Sequence, residues 1–582
     1  MAQSIIPAHG GERVAAALAA HGVHFVFTLC GGHISPILVA AKRRGIRIVD
    51  TRDEVTAVFA ADAVARLTGT PGVAAVTAGP GLTNTITALK NAQLAQSPVV
   101  LLGGAAPTAL QGRGALQDID QKRLVAPHVK LVKQVRRVAD LGPAVEEALV
   151  VAREGVPGPA FVECPVDLLY DEKLIRGWYE DAAGKGTSIP DRLTRWYLNR
   201  HANRMFAGSD RPYEPVAGAV TTPEAGEGPV ARAVEALRRA RQPLMILGSQ
   251  SIVAAAEAPR VAEAVKRLGV PVYLSGMARG VLGRGADLQM HHARRKALRE
   301  SDFVLLAGVP CDFRLDYGKH VRRSATLIAA NRSRKDARLN RKPTIEAIGD
   351  AGRFIVALAE RVGDERRRDE WILSLTVRDA DREKEIDAQA KASGEHVNPV
   401  AFFRAMEKAA GENAIFVADG GDFVGTASYI LRPRGPLAWL DPGAFGTLGV
   451  GAGFALGASV VKPRSEVWLV WGDGACGYGL AEFDTFVRHA IPVIAVVGND
   501  AGWTQIAREQ VKMLGDDVGT VLGRTAYHEV VKGFGAEGVE IRRDSEVEAG
   551  LAEARRIAAS GKPVLVNVWL DKTEFREGSI SM

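Results

Sequence analysis

The chain has few cysteines and no long apolar run, and both absences narrow the classes of protein to which it can belong. Its 582 residues include four cysteines, none in a CxxC pair or a metal-binding spacing. We therefore expect no disulfide framework, and expect a reducing compartment. No apolar run reaches the roughly 18 residues that a membrane span needs. The first 14 residues lack the basic-then-apolar pattern of a signal peptide. Together these features predict a soluble, cytoplasmic protein.

Charge is also not concentrated in any one region. The net charge is +7, and the lysines and arginines are dispersed along the chain. No segment resembles a nucleic-acid-binding module, so a nucleic-acid partner is not expected. A mildly basic balance favours an anionic small molecule, such as a nucleotide or coenzyme A (CoA).

The length and the apolar pattern predict several α/β domains. A chain of this length is too long for one hydrophobic core, and its 47% hydrophobic and 24% charged residues are globular values. Short apolar runs alternate with helical segments in three blocks, which predicts three doubly wound parallel sheets. The expected division is 1–175 and 176–227 (an insert or linker), then 228–360, 361–395 (a helical connector) and 396–582.

The third block contains the most informative motif. The apolar run 466–471 leads into Gly472-Asp473-Gly474, and a second apolar run, 491–497, leads to Asn499. In a parallel sheet both strand ends lie at one edge, where ligands usually bind. Carboxylate and amide oxygens are ligands that suit Mg²⁺, and backbone amides after the glycines suit a phosphate. The alternative is an ordinary strand–helix–strand turn in which the glycines serve geometry alone.

Further motifs are spread over nearly the whole chain, and together they identify a family. The set resembles the acetolactate synthase-like branch of the thiamine diphosphate (ThDP) enzymes. That resemblance implies pyrimidine-binding, central and diphosphate-binding domains. The matching stretches are Cys30–Pro36, Thr51–Ala57, Thr77–Asn84, Gly114–Gln117, Asp422–Thr426, Asp441–Gly449, Gly472–Gly474, Asn499–Gln505 and Phe575–Ile580.

The resemblance implies three catalytic residues, each with a structural alternative. Glu54 matches the glutamate that hydrogen-bonds the cofactor's pyrimidine ring; otherwise it is an ordinary acid at a helix N-terminus, and Asp53 is the weaker candidate. His33 and Gln117 match residues on the substrate side. A neutral His33 would move a proton to and from the substrate hydroxyl, whereas a histidine after two glycines is by itself more often structural.

The resemblance also implies a cofactor cradle and a metal set, with ThDP and Mg²⁺ as the cofactors. The implied metal ligands are Asp473, Asn499 and the carbonyl of Ala501. Leu448 would support the bent cofactor, and the carbonyl of Gly446 would accept from its amine. Trp503 is assigned either to the pocket wall or to core packing. The residues expected to bind the cofactor are Gly32, Pro80, Asn84, Gly446, Leu448, Gly472, Gly474, Ala475 and Trp503.

The reaction is less determined than the cofactor. The first expectation is a carbon–carbon lyase or carboligase that splits a 2-hydroxyacyl-CoA into an aldehyde and formyl-CoA. The alternatives are acetolactate synthase chemistry on 2-keto acids and an inactive scaffold. The stretch 308–318 resembles the CoA-using branch but has Pro310 where that branch has arginine. The nucleotide or CoA contacts expected in this stretch are Asp312 and Arg314, and Arg279, in Gly276–Gly280, is expected to compensate for the missing arginine. No FAD site is predicted.

The resemblance also implies an assembly. In the family, the glutamate block and the diphosphate block of one cofactor come from different subunits. A homodimer or homotetramer is therefore expected.

Overall fold

The structure is a computed structural model that describes residues 9–184, 186, 188–362 and 368–577. Its strands form three six-stranded sheets in which every pairing is parallel, which confirms the predicted fold class. No helix in the described part of the chain is long and apolar enough to cross a membrane. Residues 1–8 of the segment tested for a signal pattern, and the end of the last matched motif from 578, lie outside the described residues.

The first sheet is built from residues 25–165 and is covered by helices on both faces. Its central strands are fully buried, which is why they read as continuous apolar runs. The strands are β1 Phe25–Thr28, β2 Arg47–Asp50, β3 Gly72–Val76, β4 Val99–Ala105, β5 Leu131–Gln134 and β6 Ala160–Pro165. The helices are α1 Gly10–Ala20, α2 Ser35–Arg43, α3 Glu54–Thr68, α4 Pro80–Thr83, α5 Ile86–Ala95, α6 Gln121–Val125, α7 Leu141–Val151 and α8 Val166–Leu169.

Two further helices lie in the segment predicted as an insert or linker. They are α9 Glu172–Ala183 and α10 Ile189–Met205. The helix α10 contacts the first sheet domain through His201, whose Nε2 lies 2.7 Å from Thr108 Oγ1. Between residues 206 and 226 the chain has no helix or strand.

The second sheet is the central one. Its strands are β7 Pro243–Leu247, β8 Val272–Leu274, β9 Gln289–Met290, β10 Phe303–Ala307, β11 Thr326–Asn331 and β12 Ile345–Ile348. Its helices are α11 Glu227–Arg239, α12 Ala258–Leu268, α13 Arg294–Glu300, α14 Arg334–Ala337 and α15 Ala351–Val362. The predicted connector contains the long helix α16, Asp369–Gln389.

The third sheet holds the glycine–aspartate motif. Its strands are β13 Ile415–Asp419, β14 Trp439–Leu440, β15 Val467–Gly472, β16 Ile494–Asn499, β17 Glu537–Ile541 and β18 Val564–Trp569. Its helices are α17 Pro399–Ala409, α18 Gly421–Ile430, α19 Val450–Val461, α20 Asp473–Cys476, α21 Glu482–Arg488, α22 Thr504–Leu514, α23 Tyr527–Lys532 and α24 Val547–Ala559.

The strand orders locate the ligand crevices. The first sheet runs β2-β1-β3-β4-β6-β5 and the third β14-β13-β15-β16-β18-β17, so the two share one topology. The central sheet runs β12-β11-β10-β7-β8-β9, the dinucleotide-fold order. Ligands bind such sheets where the strand order reverses, beyond the carboxyl ends of the strands. These points are β1/β3 in the first sheet and β13/β15 in the third.

By internal contacts the chain divides into two compact units. One comprises 1–65 and 70–221 and carries the first sheet; the other comprises 66–69 and 222–582 and carries the central and third sheets. Each unit carries one group of the predicted functional residues, and the two groups are described in turn.

Close packing of β3 against α3 makes one position intolerant of any side chain. A Cβ on Gly72 would lie 1.8 Å from the carbonyl oxygen of Ala61, a backbone atom in α3. We therefore expect Gly72→Ala to lower the free energy of unfolding by about 2–4 kcal/mol, as overpacking does. Thermal unfolding followed by circular dichroism would measure the loss. Gly523→Ala, whose Cβ would meet nothing within 4 Å and whose backbone is not left-handed, is the control for glycine replacement. Equal melting temperatures for Gly72→Ala and wild type would contradict the packing argument.

Candidate cofactor and active site

One short loop organises the predicted functional residues of the first unit. The segment 77–84 follows β3 at the crevice and includes α4. It contacts Glu54, His33 and Gln117, the three predicted catalytic residues. The structure therefore brings together residues that lie up to 84 positions apart in the sequence.

Glu54 is a buried carboxyl group at the first position of α3. The residue is 7% exposed, and its Oε2 accepts a hydrogen bond of 3.0 Å from Asn84 Nδ2. A Cβ on Gly81 would lie 3.4 Å from Oε1, so the loop leaves little room above the carboxyl group. Asp53 is exposed instead, and its Oδ1 accepts from the backbone N–H of Val55 at the helix start. Asp53 therefore makes the hydrogen bond expected of an acid at a helix N-terminus, whereas Glu54 is buried.

His33 is half-buried in the loop after β1. Its Nδ1 lies 3.0 Å from Thr77 Oγ1, which fixes the orientation of the ring. Burial lowers the pKa of His33 below its usual value, so the imidazole is neutral at pH 7. A neutral ring can accept a proton at one nitrogen while Thr77 holds the other.

Gln117 occupies an uncommon backbone conformation beside this loop. Its φ is 63°, in the left-handed region that glutamine seldom adopts. Its Cα would lie 3.0 Å from a Cβ on Gly79, so the two backbones approach closely only because residue 79 is glycine. Gln117 also lines a cavity of about 510 Å³ with Gln121 and Glu163, whose side chains are hydrogen-bonded to each other. Strained conformations of this kind cluster at functional sites.

In the second unit the motif residues meet at the ends of β15 and β16. These strands pair in register Gly472↔Gly498, which places Asp473 beside Asn499. Asn499 Nδ2 donates to the carbonyl of Thr525 (3.0 Å) and to Asn567 Oδ1 (3.2 Å). Both bonds orient the amide.

The metal ligand set fits the buried atoms at this point. Asn499 Oδ1 is buried and has no hydrogen-bond donor among the described residues, as expected of an oxygen reserved for a cation. Burial, helped by the nearby charge of Asp500, raises the pKa of Asp473 to about 7, and a bound cation would relieve that cost. Ala501 has a left-handed φ of 57°. No group of three or more His, Cys, Asp or Glu side chains in the described residues could hold a metal, so such a site needs amide and carbonyl oxygens.

A glycine-rich loop places Leu448 against the turn that follows β13. Asp419, fully buried at the end of β13, accepts hydrogen bonds from the N–H groups of Gly449 (3.2 Å) and Gly451 (2.9 Å). Burial raises the pKa of Asp419 to about 7. A Cβ on Gly420 would lie 2.6 Å from Leu448 Cδ2, so the leucine is held against a residue with no side chain.

Asp473, Leu448 and their neighbours line one cavity of about 640 Å³ in the second unit, whereas Asn499 and Ala501 are not on its wall. Trp503 packs on Gly474, where a Cβ would lie 2.5 Å from the indole ring. Trp503 thus forms part of the cavity wall and also packs against the Gly-Asp-Gly turn, so both predicted roles apply. The predicted residues on the wall are Gly446, Leu448, Gly472, Asp473, Gly474, Ala475, Trp503 and Arg279.

The other two predicted nucleotide contacts are paired with each other. Arg314 donates to both carboxylate oxygens of Asp312, at 2.6 to 3.0 Å. At the reversal point of the central sheet, a Cβ on Gly248 would lie 2.5 Å from the carbonyl oxygen of Gly308. The backbones of Gly248 and Gly308 therefore approach each other closely at this point. Arg279 is the predicted contact that reaches a cavity.

Several residues that position the site were not anticipated from the sequence. Thr77 orients His33, Asn567 orients Asn499, and Asp419 holds the loop that carries Leu448. Asp500 lines the larger cavity. Asp419 and Asp500 could have been found from the sequence, because each lies at or just after the end of an apolar strand, where ligands usually bind.

Comparison with known proteins identifies the class. Three family models match the chain, described as the N-terminal TPP binding domain (residues 8–124), the central domain (230–358) and the C-terminal TPP binding domain (419–568) of thiamine pyrophosphate enzymes. The chain therefore belongs to the thiamine pyrophosphate enzyme family.

Individual relatives give a finer comparison. The chain is similar to 2-hydroxyacyl-CoA lyase 2 of Danio rerio, with 51% identity over 99% of this chain and 94% of the relative. Human 2-hydroxyacyl-CoA lyase 2 gives 51% identity over 99% of this chain and 92% of the relative. The acetolactate synthase large subunit IlvG of Mycobacterium tuberculosis is 34% identical over 97% of this chain and 96% of the relative.

Proposed function

We propose that the protein is a ThDP- and Mg²⁺-dependent carbon–carbon lyase that cleaves a 2-hydroxyacyl-CoA to an aldehyde and formyl-CoA, and that also catalyses the reverse condensation. The observation that carries the proposal is the 51% identity to lyases along the whole chain, against 34% to an acetolactate synthase. When bound, ThDP supplies a nucleophilic carbon and an electron sink for the carbon–carbon bond.

The chain's own residues have separate roles in this proposal. Glu54 holds a hydrogen bond to the pyrimidine ring, and Asn84 orients the Glu54 carboxyl group. Asp473, Asn499 and the carbonyl of Ala501 bind Mg²⁺, while the N–H groups of Gly474 and Ala475 contact the diphosphate. The remaining predicted cofactor contacts are Gly32, Pro80, Gly446, Leu448, Gly472 and Trp503.

His33 and Gln117 act on the substrate. Neutral His33 takes the proton from the hydroxyl group that becomes a carbonyl, and Thr77 holds its ring in place. Gln117 presents its amide to the substrate from a backbone that cannot relax easily.

The proposed role of His33 predicts a pH dependence. Burial lowers its pKa from the usual value of about 6.5, so the catalytic neutral form persists at pH 7 and is lost as the pH falls through the lowered pKa. We expect kcat for 2-hydroxyacyl-CoA cleavage to be constant above about pH 7 and to fall on the acidic side. His33→Gln should lower kcat by about a hundred-fold and remove this acidic limb. A rate profile from pH 5 to 8 checks both results, and an unchanged acidic limb in His33→Gln would exclude His33 as the base.

The choice between lyase and synthase chemistry requires product identification. The protein, supplied with Mg²⁺ and ThDP, is incubated with a 2-hydroxyacyl-CoA and, separately, with pyruvate. Formyl-CoA and an aldehyde from the thioester support the lyase. Acetolactate from pyruvate without formyl-CoA would establish the synthase alternative, and no turnover of either substrate would favour the scaffold.

The proposal also includes an assembly and a domain division. We propose a homodimer or homotetramer, which light scattering coupled to size exclusion would measure. The proposed domain boundaries lie near residues 175, 227, 360 and 395, with 176–227 and 361–395 as connecting segments. Limited proteolysis should cut first near those positions.

A further inference from the structure

The loop that carries Gln117 is long and has no regular structure of its own. It covers residues 106–120, between β4 and α6. Residues 112–114 and Leu116 are exposed, so the middle of the loop is not packed into the core. The φ of Gln117 is 63°, and the two glycines within 112–114 are left-handed as well. A strained backbone of this kind persists only where the surrounding structure fixes it, so the ends of the loop must supply the constraint.

The start of the loop is anchored by a buried carboxyl group. Asp167, on α8, is 1% exposed. Its Oδ2 accepts hydrogen bonds from both the backbone N–H (2.7 Å) and the hydroxyl group (2.6 Å) of Thr108. Because one oxygen binds both the backbone and the side chain of the same residue, the position of Thr108 is closely fixed.

The two helices of the insert complete this anchor. Tyr179, on α9, donates its hydroxyl proton to the same oxygen of Asp167 at 2.6 Å. His201, on α10, has its Nε2 2.7 Å from Thr108 Oγ1. Since the single hydroxyl proton of Thr108 is donated to Asp167, His201 Nε2 is the donor in this contact. The insert therefore supports the start of the loop through two side chains, although no sequence motif assigned it a function.

The end of the loop is held by a second buried carboxyl group. Glu163, in β6, is 3% exposed, and its two oxygens accept from Gln121 Nε2 and from Gln134 Nε2, each at 3.1 Å. Gln121 directly follows the loop and is 2% exposed. Its Nε2 also donates to the carbonyl of Gly104 at 3.1 Å. Gly104 lies in β4 just before the loop, so this one amide group connects the two ends of the loop.

The two anchors lie on either side of Gln117 in the sequence. Thr108 is nine positions before it, and Gln121 is four positions after it. The two carboxyl groups come from β6 and the helix that directly follows it, four residues apart. Fixing both ends reduces the conformations open to the residues between them, which favours the strained backbone at Gln117.

We propose that Asp167 and Glu163 are positioning residues for Gln117. The insert helices take part through Tyr179 and His201. A side chain that acts on the reacting substrate must be held within about 0.5 Å of its productive place. A displacement of about 1 Å, even from a change far from the chemistry, costs roughly 100-fold in rate. The inference rests on the proposed role of Gln117 in 2-hydroxyacyl-CoA cleavage.

Matched pairs of variants test each anchor. Thr108→Val removes the hydroxyl group at nearly constant size, whereas Thr108→Ser keeps it. Glu163→Leu removes both acceptor oxygens, whereas Glu163→Gln keeps the size and one acceptor. We expect Thr108→Val and Glu163→Leu to lower kcat by about 10- to 100-fold, with KM within about two-fold of wild type. The two conservative variants should keep kcat within about three-fold of wild type, because the loop stays anchored.

A double-mutant comparison separates positioning from general structural damage. Gln117→Ala should lower kcat at least as much as Thr108→Val does. In the Gln117→Ala protein, Thr108→Val should cause no further loss, because the side chain that it positions is already absent. Losses that multiply would show that Thr108 acts independently of Gln117 and would overturn the proposal. Asp140→Asn breaks an exposed ion pair with Arg137 and is the control, which should change no rate.

Hydrogen exchange examines the loop without any substrate. Mass spectrometry of peptides covering residues 109–119 should show faster exchange in Thr108→Val and Glu163→Leu than in wild type, and unchanged exchange in the conservative variants. Equal exchange in all of these proteins would overturn the proposal. If Glu163→Leu does not fold, the Thr108 pair decides alone. If wild type does not cleave 2-hydroxyacyl-CoA, the proposed function fails, and the exchange result still decides whether the anchors hold the loop.

Discussion

Glu54→Gln should lower kcat for 2-hydroxyacyl-CoA cleavage by at least about a thousand-fold, the range expected when an essential proton donor is removed. Glutamine keeps the size of the side chain and can still contact Asn84, but it cannot supply the carboxyl proton to a ring nitrogen. Steady-state rates with saturating Mg²⁺ and ThDP measure the effect. Since Glu54 is only 7% exposed and its replacement is nearly isosteric, the melting temperature should change little.

Asp53→Asn is the matched control for this experiment. Asp53 is adjacent in sequence and acidic, but it is exposed and bonds to the N–H of Val55. Its replacement should leave kcat within about three-fold of wild type and cost at most about 1 kcal/mol of stability, as for a helix cap. Equal rates for Glu54→Gln and wild type would refute the proposed mechanism. A large loss in Asp53→Asn would move the acid role to the neighbouring residue.

Asp473→Asn should abolish Mg²⁺-dependent cofactor binding, with a fall in ThDP affinity of more than about a hundred-fold. Replacing a residue that only orients a metal ligand typically lowers metal affinity by about 10- to 100-fold, and we expect that range for Asn567→Ala. Loss of the ligand Asp473 itself should therefore lower affinity further. The apo-protein should not be destabilised, because burial already disfavours the charged form of Asp473. Tryptophan fluorescence is a suitable readout, since Trp503 packs on the neighbouring Gly474.

The control for the metal experiment is Asp484→Asn, on α21. Asp484 accepts a 2.8 Å hydrogen bond from Arg488 Nε at the surface of that helix. Its replacement should leave the Mg²⁺ titration unchanged. Retention of Mg²⁺-dependent ThDP binding by Asp473→Asn would show that the metal site lies elsewhere.

Most of the fold was predictable because the central strands are contiguous apolar runs. The strands β4, β7 and β10 are buried along their whole length, so their sequences leave little choice of structure. Seven strands were not predicted: β5, β9, β12, β13, β14, β17 and β18. Two of them have a clear physical reason. β5 is partly exposed and β14 has only two residues, so neither produces an apolar run of its own.

The candidate site was also predictable from the sequence only in part. The Gly-Asp-Gly turn, Asn499 and Glu54 lie in local motifs, and these identified the cofactor from the sequence. The residues that position them could not be identified from the sequence. Thr77, Asn567 and Asp419 are common residue types, and each acts on a residue that lies 30 to 68 positions away in the chain. The mutual pairing of Asp312 with Arg314 was equally hidden, since nothing in the motif shows how the side chains fold back.

The sequence by itself determined the family, the cofactor-binding motifs and the three parallel sheets, because each depends on residue types at short spacing. Only the tertiary structure decided which side chains are buried without partners. Asn499 Oδ1 acquires its meaning from the absence of any hydrogen-bond donor beside it among the described residues. That property depends on distance and desolvation, and spacing along the chain determines neither.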